Sequence, residues 1–349
     1  MQHVIFRESH GPAIGVTLTA VPPGLKLDLD AIGAELARRA PGKDALSTAR
    51  REQDTFEILS GVFEGKTTGT PLCAIIRNTD TRSRDYQPQL PRPSHGDYAG
   101  FVRYDGCNDY RGGGHFSGRL TAPLVFAGAV AKQILALHGI RIGAHVLQIG
   151  TLRDTLFSEC ELSGALFDAV ARRPFPTISE AAGEEMQQKI LQARQQGDSI
   201  GGIVECAAVG VPAGFGSPDY GCNAEGIFAQ QLFAIPAVKG VAFGAGFEFA
   251  RMYGSEANDP YYLEGGQIRT KTNNAGGING GITNGMPLIL TAAFRPTPSI
   301  AKPQQTINLV TGQPTEFTIT GRHDPCIVHR AVPVVEAAAA LALCQLMNL

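Results

Sequence analysis

The chain has 349 residues, enough for one large domain or two ordinary ones with an ample core. Its formal net charge of -2 and pI near 6.5 lack the basic bias of a nucleic-acid binder. Seven cysteines, odd in number and scattered without a C-x-x-C pair, indicate neither a disulfide framework nor a zinc site.

The basic residues are skewed: 22 of the 30 are arginine, and twelve of those fall from Arg7 to Arg119. Arginine is favoured where planar anions are held in fixed geometry, so a near-neutral chain with this clustering suggests a local anionic ligand. Met1-Gln2-His3 opens no signal peptide and no uncharged run reaches 18 apolar residues, so the chain reads as cytoplasmic, with no membrane partner.

In chain order, hydrophobic patterning predicts a strand over Ala13–Thr19, a helix over Leu29–Arg39, and strands over Glu57–Phe63 and Leu72–Arg77. A helix follows over Thr121–His138 and another over Ile178–Gln196. Next come a strand at Ile203–Val209, a helix at Ala224–Ile235 and a strand at Leu288–Phe294. The most apolar stretch, Ala331–Leu349, contains Pro333 and Glu336 and reads as a C-terminal core helix, centred on Val332–Met347. These elements do not alternate as regular βαβ units, which favours an α+β architecture over a doubly wound sheet. A weak repeat runs through them. Val16–Gly24 echoes Val204–Gly214, each ahead of a helix. Lys66-Thr-Thr-Gly-Thr-Pro-Leu72 echoes Ile282-Thr-Asn-Gly-Met-Pro-Leu288, each followed by a strand and then an arginine, Arg77 or Arg295. The shared order suggests two pseudo-equivalent halves around one core, with a ligand site at their junction; chance likeness of Pro-Gly turns is the competing explanation.

The stretch Asp109-Tyr-Arg-Gly-Gly-Gly-His-Phe-Ser-Gly-Arg119 carries the most chemistry. Its glycines permit close backbone approach, and Arg111 and Arg119 can each hold an oxyanion by two parallel hydrogen bonds; a glycine turn between surface charges is the plainer alternative. Gly65-Lys66-Thr67 does not complete a phosphate-binding P-loop, because Ser60 stands where the first glycine is required. The tract Asn273–Gly285 is glycine-rich without a G-x-G-x-x-G element, which leaves a dinucleotide fold unsupported. Three loop histidines, His10, His95 and His323 beside Asp324, lie among glycine, proline and charged neighbours, where general acids and bases concentrate. None shows metal-ligand spacing, so no protein-bound metal is expected.

Taken together, these segments resemble the chorismate synthase family over nearly the whole length. The resemblance rests on Arg7-Glu-Ser-His-Gly-Pro-Ala-Ile-Gly-Val16, Arg38-Arg39 with Pro41-Gly42, and Ser60–Pro71. It continues through Arg77-Asn-Thr-Asp80, Arg82–Tyr86, the Arg111–Arg119 loop, and Gly321-Arg-His-Asp-Pro-Cys326 leading to Arg330-Ala-Val-Pro333. It implies loss of phosphate and a C6 proton from 5-enolpyruvylshikimate-3-phosphate, giving chorismate, with reduced FMN required and no net redox change. It implies His10 as general acid to the departing phosphate, His95 beside the flavin, and Asp324 in relay of the C6 proton. Arg39 and Arg119 match substrate-facing arginines, with Arg50 or Arg7 placed to compensate for Ala45, which stands where a second such arginine is expected. FMN contacts would fall to His115, Phe116, Ser117, Pro236, Ala237, Gly280, Arg295, Pro296, Thr297, Pro298, Ser299 and Arg322. Further departures are Arg7 for the opening glycine, His115-Phe116 in the middle signature, Pro236, and Arg295 for lysine. The alternatives are a diverged flavin-binding paralogue without turnover and, more remotely, an NTPase suggested by Gly65-Lys66-Thr67.

The resemblance also implies the architecture: one domain over residues 1–349, built as a β-α-β sandwich with helices between two antiparallel sheets, assembled as a homotetramer. No additional nucleotide motif marks an NADPH site, so externally reduced FMN is the default.

Overall fold

A computed structural model describes residues 1–6, 8–42, 46–47, 52–79, 87–319 and 323–349. Helices and antiparallel sheets are mixed without βαβ alternation, as expected for the α+β class. One sheet has four antiparallel strands in the order Gln2–Phe6, Ala13–Thr19, Leu72–Arg77, Phe56–Ser60. The other has five, in the order Val238–Phe243, Leu288–Phe294, Gly202–Val209, Arg141–Ile149, Leu152–Arg153.

Two long helices fill the space against these sheets. Thr121–Ala136 packs on the first sheet, and Val328–Leu346 packs on the second, and the two helices pack tightly on each other. Both are apolar on nearly every face, as a helix surrounded by protein must be. The amphipathic helix Leu29–Arg39 starts where Asp28 accepts the Ala31 amide at 2.9 Å, and it buries Ile32 and Leu36. Helices Gly164–Ala171 and Glu180–Gln195 lie against strand Arg141–Ile149.

The strands at Ala13–Thr19, Leu72–Arg77 and Leu288–Phe294 and the helix at Leu29–Arg39 fall where the sequence places them. The expected strand Glu57–Phe63 divides at Gly61, whose backbone is left-handed (φ 85°), into Phe56–Ser60 and Val62–Phe63. The C-terminal helix begins at Val328, four residues before the expected Val332, and runs through Pro333. Among the described residues no helix is long and apolar enough to cross a membrane.

The two echoing segment pairs make the same hydrogen bonds. Thr67 Oγ1 donates to Pro22 O (2.5 Å), and Thr283 Oγ1 donates to Pro212 O (2.7 Å). The same hydroxyls accept from Leu25 N and Phe215 N, each at 3.0 Å. The backbone pairs also match: Gly24 N to Thr67 O with Gly214 N to Thr283 O, and Thr68 N to Gly61 O with Asn284 N to Gly277 O.

Candidate active site

The three glycines after Arg111 organise the site. Gly112, Gly113 and Gly114 have φ of 63°, 82° and 48°, a run that side chains would strain at every step. A Cβ on Gly112 would lie 2.6 Å from the Ser9 hydroxyl and closer still to the His10 imidazole. One on Gly113 would lie 3.2 Å from His95 Cε1, 3.3 Å from its Nε2 and 3.4 Å from Arg92 Nη2. Two histidines 85 residues apart in sequence therefore face one bare stretch of backbone. The buried Ser9 hydroxyl donates to the carbonyls of this turn, to Gly112 O at 3.1 Å, and fixes the His10 turn to it.

His95 is held by its own segment. Its Nδ1 lies 2.6 Å from Asp97 Oδ1, and Arg92 grips the same carboxylate through Nε (2.7 Å) and Nη2 (2.8 Å). Asp97, gripped by Arg92 and His95, stays ionised well below the ordinary carboxylate range even though burial opposes this. An ionised carboxylate only accepts, so Nδ1 carries the proton toward Asp97 and Nε2 presents its lone pair beside Gly113. Burial lowers the His95 pKa, Asp97 pulls it up, and the positive charges of Arg92 and Arg295 lower it again; burial wins. The ring is neutral at pH 7.

A buried ionic group adjoins the His10 turn. Arg39 (2% exposed) donates to Asp54 through Nε at 2.9 Å and again through Nη2, with Nη1 3.4 Å from Thr121 Oγ1. Arg119 (3% exposed) meets the other Asp54 oxygen through Nη1 and lies 2.9 Å from Glu52 through Nε. Burial lowers the Arg39 pKa to about 10, with Arg330 and Arg119 adding to that and Asp54 opposing. Burial would raise the Asp54 pKa, but Arg39 and Arg119 outweigh it and lower it. Asn78 ties this group to the histidine: its Nδ2 donates to Gly11 O (2.8 Å) and Glu8 O (3.2 Å), while its Oδ1 accepts from Arg119 Nε (3.2 Å).

The third corner is Asp324. Arg330 Nη1 lies 2.8 Å from Asp324 Oδ1, and Arg330 Nε donates to Arg39 O at 3.0 Å. Thr297 Oγ1 donates to Asp324 O at 2.8 Å. The 295–299 segment then leads back to His95: Arg295 donates to Ser94 O, and Arg92 Nη1 donates to the buried Ser299 hydroxyl at 3.3 Å. The contacts close into a ring. It passes from His10 through Gly112 and Gly113 to His95, through residues 295–299 to Asp324, and through Arg330, Arg39, Asp54, Arg119 and Asn78 back to the His10 turn.

Eight of the expected site residues lie on or beside this ring: His10, His95, Asp324, Arg39, Arg119, Arg295, Thr297 and Ser299. Ser117 caps the turn before Thr121 by accepting from Arg119 N at 3.3 Å. His115 is exposed, whereas the Phe116 ring fills the space over Gly96 and Gly100 on helix Asp97–Arg103. Ala237 reaches the ring indirectly, since Arg295 N donates to its carbonyl at 3.0 Å. Gly280 sits at an exposed hairpin tip between Ile278–Asn279 and Ile282–Thr283, and no contact among the described residues joins it to the ring. Arg7, Ala45, Arg50 and Arg322 lie outside the described residues. Arg111, expected as an oxyanion holder, is occupied by Asp109 through Nε and Nη2, both at 2.8 Å. The connectors Asp54, Asp97 and Arg92 were not singled out as site residues; the His-x-Asp spacing of His95 and Asp97 was the available signal for one of them.

A paired arginine group and two half-buried histidines on one glycine turn, one of them neutral, are groups suited to acid–base chemistry on an oxyanion. The model of one protein family, chorismate synthase, matches residues 1–348. A chorismate synthase of Pyrococcus abyssi is 48% identical over 352 residues, covering 98% of this chain and 94% of its own. One from Methanocella arvoryzae is 46% identical, covering 98% and 91%. A solved structure titled as a crystal structure of chorismate synthase superposes with a TM-score of 0.78 at 31% identity, covering 99% of this chain and 91% of its own. The chain belongs to the chorismate synthase family. The resemblance read from its motifs is borne out, and these relatives support the catalytic reading over the diverged paralogue.

Proposed function

We propose that the chain eliminates phosphate from 5-enolpyruvylshikimate-3-phosphate by anti-1,4-elimination, giving chorismate with reduced FMN bound. The allylic C–O bond breaks, a C6 proton leaves, and a second ring double bond forms. The observation that carries this reading is the packing of His10 against Gly112 and of His95 against the adjacent Gly113, within a ring that also holds Asp324. Elimination needs a proton delivered at one end of the substrate and removed at the other, and the ring supplies groups for both.

His10 protonates the departing phosphate. Arg39 and Arg119 bind the substrate's phosphate and carboxylates with guanidinium donors left over from Asp54, each guanidinium having five N–H groups. Asp324, steadied by Arg330, takes part in moving the C6 proton. His95 stays neutral and offers Nε2 as acceptor toward the ligand side of Gly113. The residues fit FMN: Arg295, Thr297 and Ser299 bring a cation and two hydroxyls suited to a phosphate. The flavin would be held by His115, Phe116, Ser117, Pro236, Ala237, Gly280, the 295–299 segment and Arg322. Reduced FMN supplies, when bound, an electron-rich ring that eases C–O cleavage without net oxidation.

The two halves form one domain over residues 1–349, a β-α-β sandwich with a pseudo-two-fold; the matched Thr67 and Thr283 hydrogen bonds support that symmetry. Assembly as a cytoplasmic homotetramer is in keeping with exposed Tyr261, Leu263, Ile268 and Phe247, which a partner subunit would cover.

The test is anaerobic turnover with chemically reduced FMN, following chorismate absorbance and phosphate release together. Stoichiometric formation of both, absent with oxidised FMN, is expected. His10→Ala should lower turnover about 10²-fold or more with the fold intact. FMN binding without product in the wild-type protein would overturn the assignment.

A further inference from the structure

A second cavity of about 220 Å³ lies behind the ring, between the end of helix Leu29–Arg39, the 171–176 segment and the first turns of helix Val328–Leu346. Arg38, Arg172, Arg173 and Arg330 line it together with His329 and Ser47, and no carboxylate lines it among the described residues. We propose that this cavity is a second anion-binding site for a compact oxyanion of the phosphate class, separate from the site between His10 and His95.

The charges around it are unevenly neutralised. Arg38 is matched by Glu336 and Glu35, and Arg330 by Asp324. Arg173 spends its donors on neutral carbonyls, Thr177 O at 2.8 Å and Ile178 O at 2.7 Å. Its carboxylate contact, Glu180 at 3.5 Å, is 82% exposed and screened by water. The Arg172 side chain has no carboxylate partner among the described residues and stands at the cavity mouth, exposed. Among the described residues, two guanidinium charges thus converge on a concave space with little to balance them, and such forks hold phosphate oxygens bidentately. The amino end of a 19-residue helix opens on the same space, and its dipole favours an anion there. Arg330 is shared between this cavity and Asp324, which joins the two sites through one side chain.

The probe is inorganic phosphate, measured by equilibrium dialysis of the full chain in buffer free of other multivalent anions, with and without saturating substrate under oxidised conditions that prevent turnover. The wild-type protein is expected to retain one phosphate per chain when substrate is present. Arg172→Glu should weaken that retained binding about tenfold or more, the loss of one charged contact with reversal of its sign. Turnover in phosphate-free buffer should be unchanged, because Arg172 lies outside the catalytic ring. Arg251→Glu, a reversal at an exposed residue that is paired with Glu248 and does not line the cavity, controls for net charge and should leave retention intact. Displacement of all phosphate by substrate, or equal weakening by Arg172→Glu and Arg251→Glu, would overturn the proposal. Neither result bears on whether the chain makes chorismate, which the turnover assay decides separately.

Discussion

Gly112→Ala is the most informative single change. The new methyl carbon would stand 2.6 Å from Ser9 Oγ and nearer the His10 ring, where carbon contacts normally sit at about 3.5–4.0 Å. Something must retreat by roughly 1 Å. Ser9 is buried and hydrogen-bonded to Gly112 O, so the displacement falls on the half-buried His10 ring. A misplacement of about 1 Å can cost on the order of 10²-fold in rate, or about 2.7 kcal/mol in the barrier. The left-handed backbone (φ 63°) adds roughly 1–2 kcal/mol of lost stability for a residue with a Cβ. The assay is anaerobic turnover with reduced FMN, beside the melting temperature of the same preparation. Gly118→Ala is the matched control, since no atom lies within 4 Å of the position its Cβ would take, and it should behave as wild type. A folded Gly112→Ala protein with turnover within twofold of wild type would refute the claim that this glycine positions His10.

Three other outcomes follow from the buried charges. The His95 ring, followed by NMR, should titrate below 6.5, and protonating it should cost stability as pH falls through that midpoint; a midpoint above 6.5 would contradict the neutral ring assigned to it. His145 is fully buried between Asp154 (3.1 Å) and Glu205 (2.9 Å), and these carboxylates raise its pKa although burial pulls it down. Its pairing therefore stabilises the protein fully below pH 6.5 and is lost as pH rises through the raised value. His145→Ala should cost about 3–5 kcal/mol in denaturant unfolding near pH 6, and less at higher pH. Glu336 sits in the core against Arg38, Lys132 and the Ala144 amide, and the two cations hold its pKa near about 2 despite burial. Glu336→Ala should cost about 3–5 kcal/mol at pH 7, because Arg38 and Lys132 lose their buried carboxylate and share Glu35 alone among the described acids, and the penalty should shrink as pH falls from 4.5 toward 2. A flat pH dependence of that difference would show that the charge is not what matters.

Some of this was legible in the sequence for physical reasons that can be named. Ala13–Thr19, Leu72–Arg77 and Leu288–Phe294 are apolar runs bounded by glycine and proline, and Leu29–Arg39 announces itself with the Asp28 cap. Strand Arg141–Ile149 escaped notice because Gly143 and His145 interrupt its pattern. Both are there for tertiary reasons: a Cβ on Gly143 would come within 2.6 Å of Phe167 Cβ, and His145 bridges carboxylates that are distant in sequence. The apolar run marked the C-terminal helix from Val332, but the helix starts at Val328, and dense burial on both flanks of Pro333 carries it through the hydrogen bond that proline removes. In the site, His10, His95, Asp324, Arg39 and Arg119 stood out by motif. Their connectors did not: Asp54 and Arg92 join segments distant in sequence, to Arg119 and Ser299, and a local reading sees only one end of each of those bonds, whereas Asp97 lies two residues from His95 and was within reach of a local reading.

The ring around the site draws on segments from Glu8 to Arg330, and the links that close it, Arg330 to Arg39, Arg92 to Ser299 and Ser9 to Gly112, join residues 291, 207 and 103 positions apart. Contacts of that kind form late, because each closes a large loop whose entropy must be lost before the bond returns anything. The two histidines reach their glycine turn from segments about a hundred and about twenty residues away in sequence, so the site exists only where the fold brings those segments together, and a partly folded chain has the parts of the site without the site.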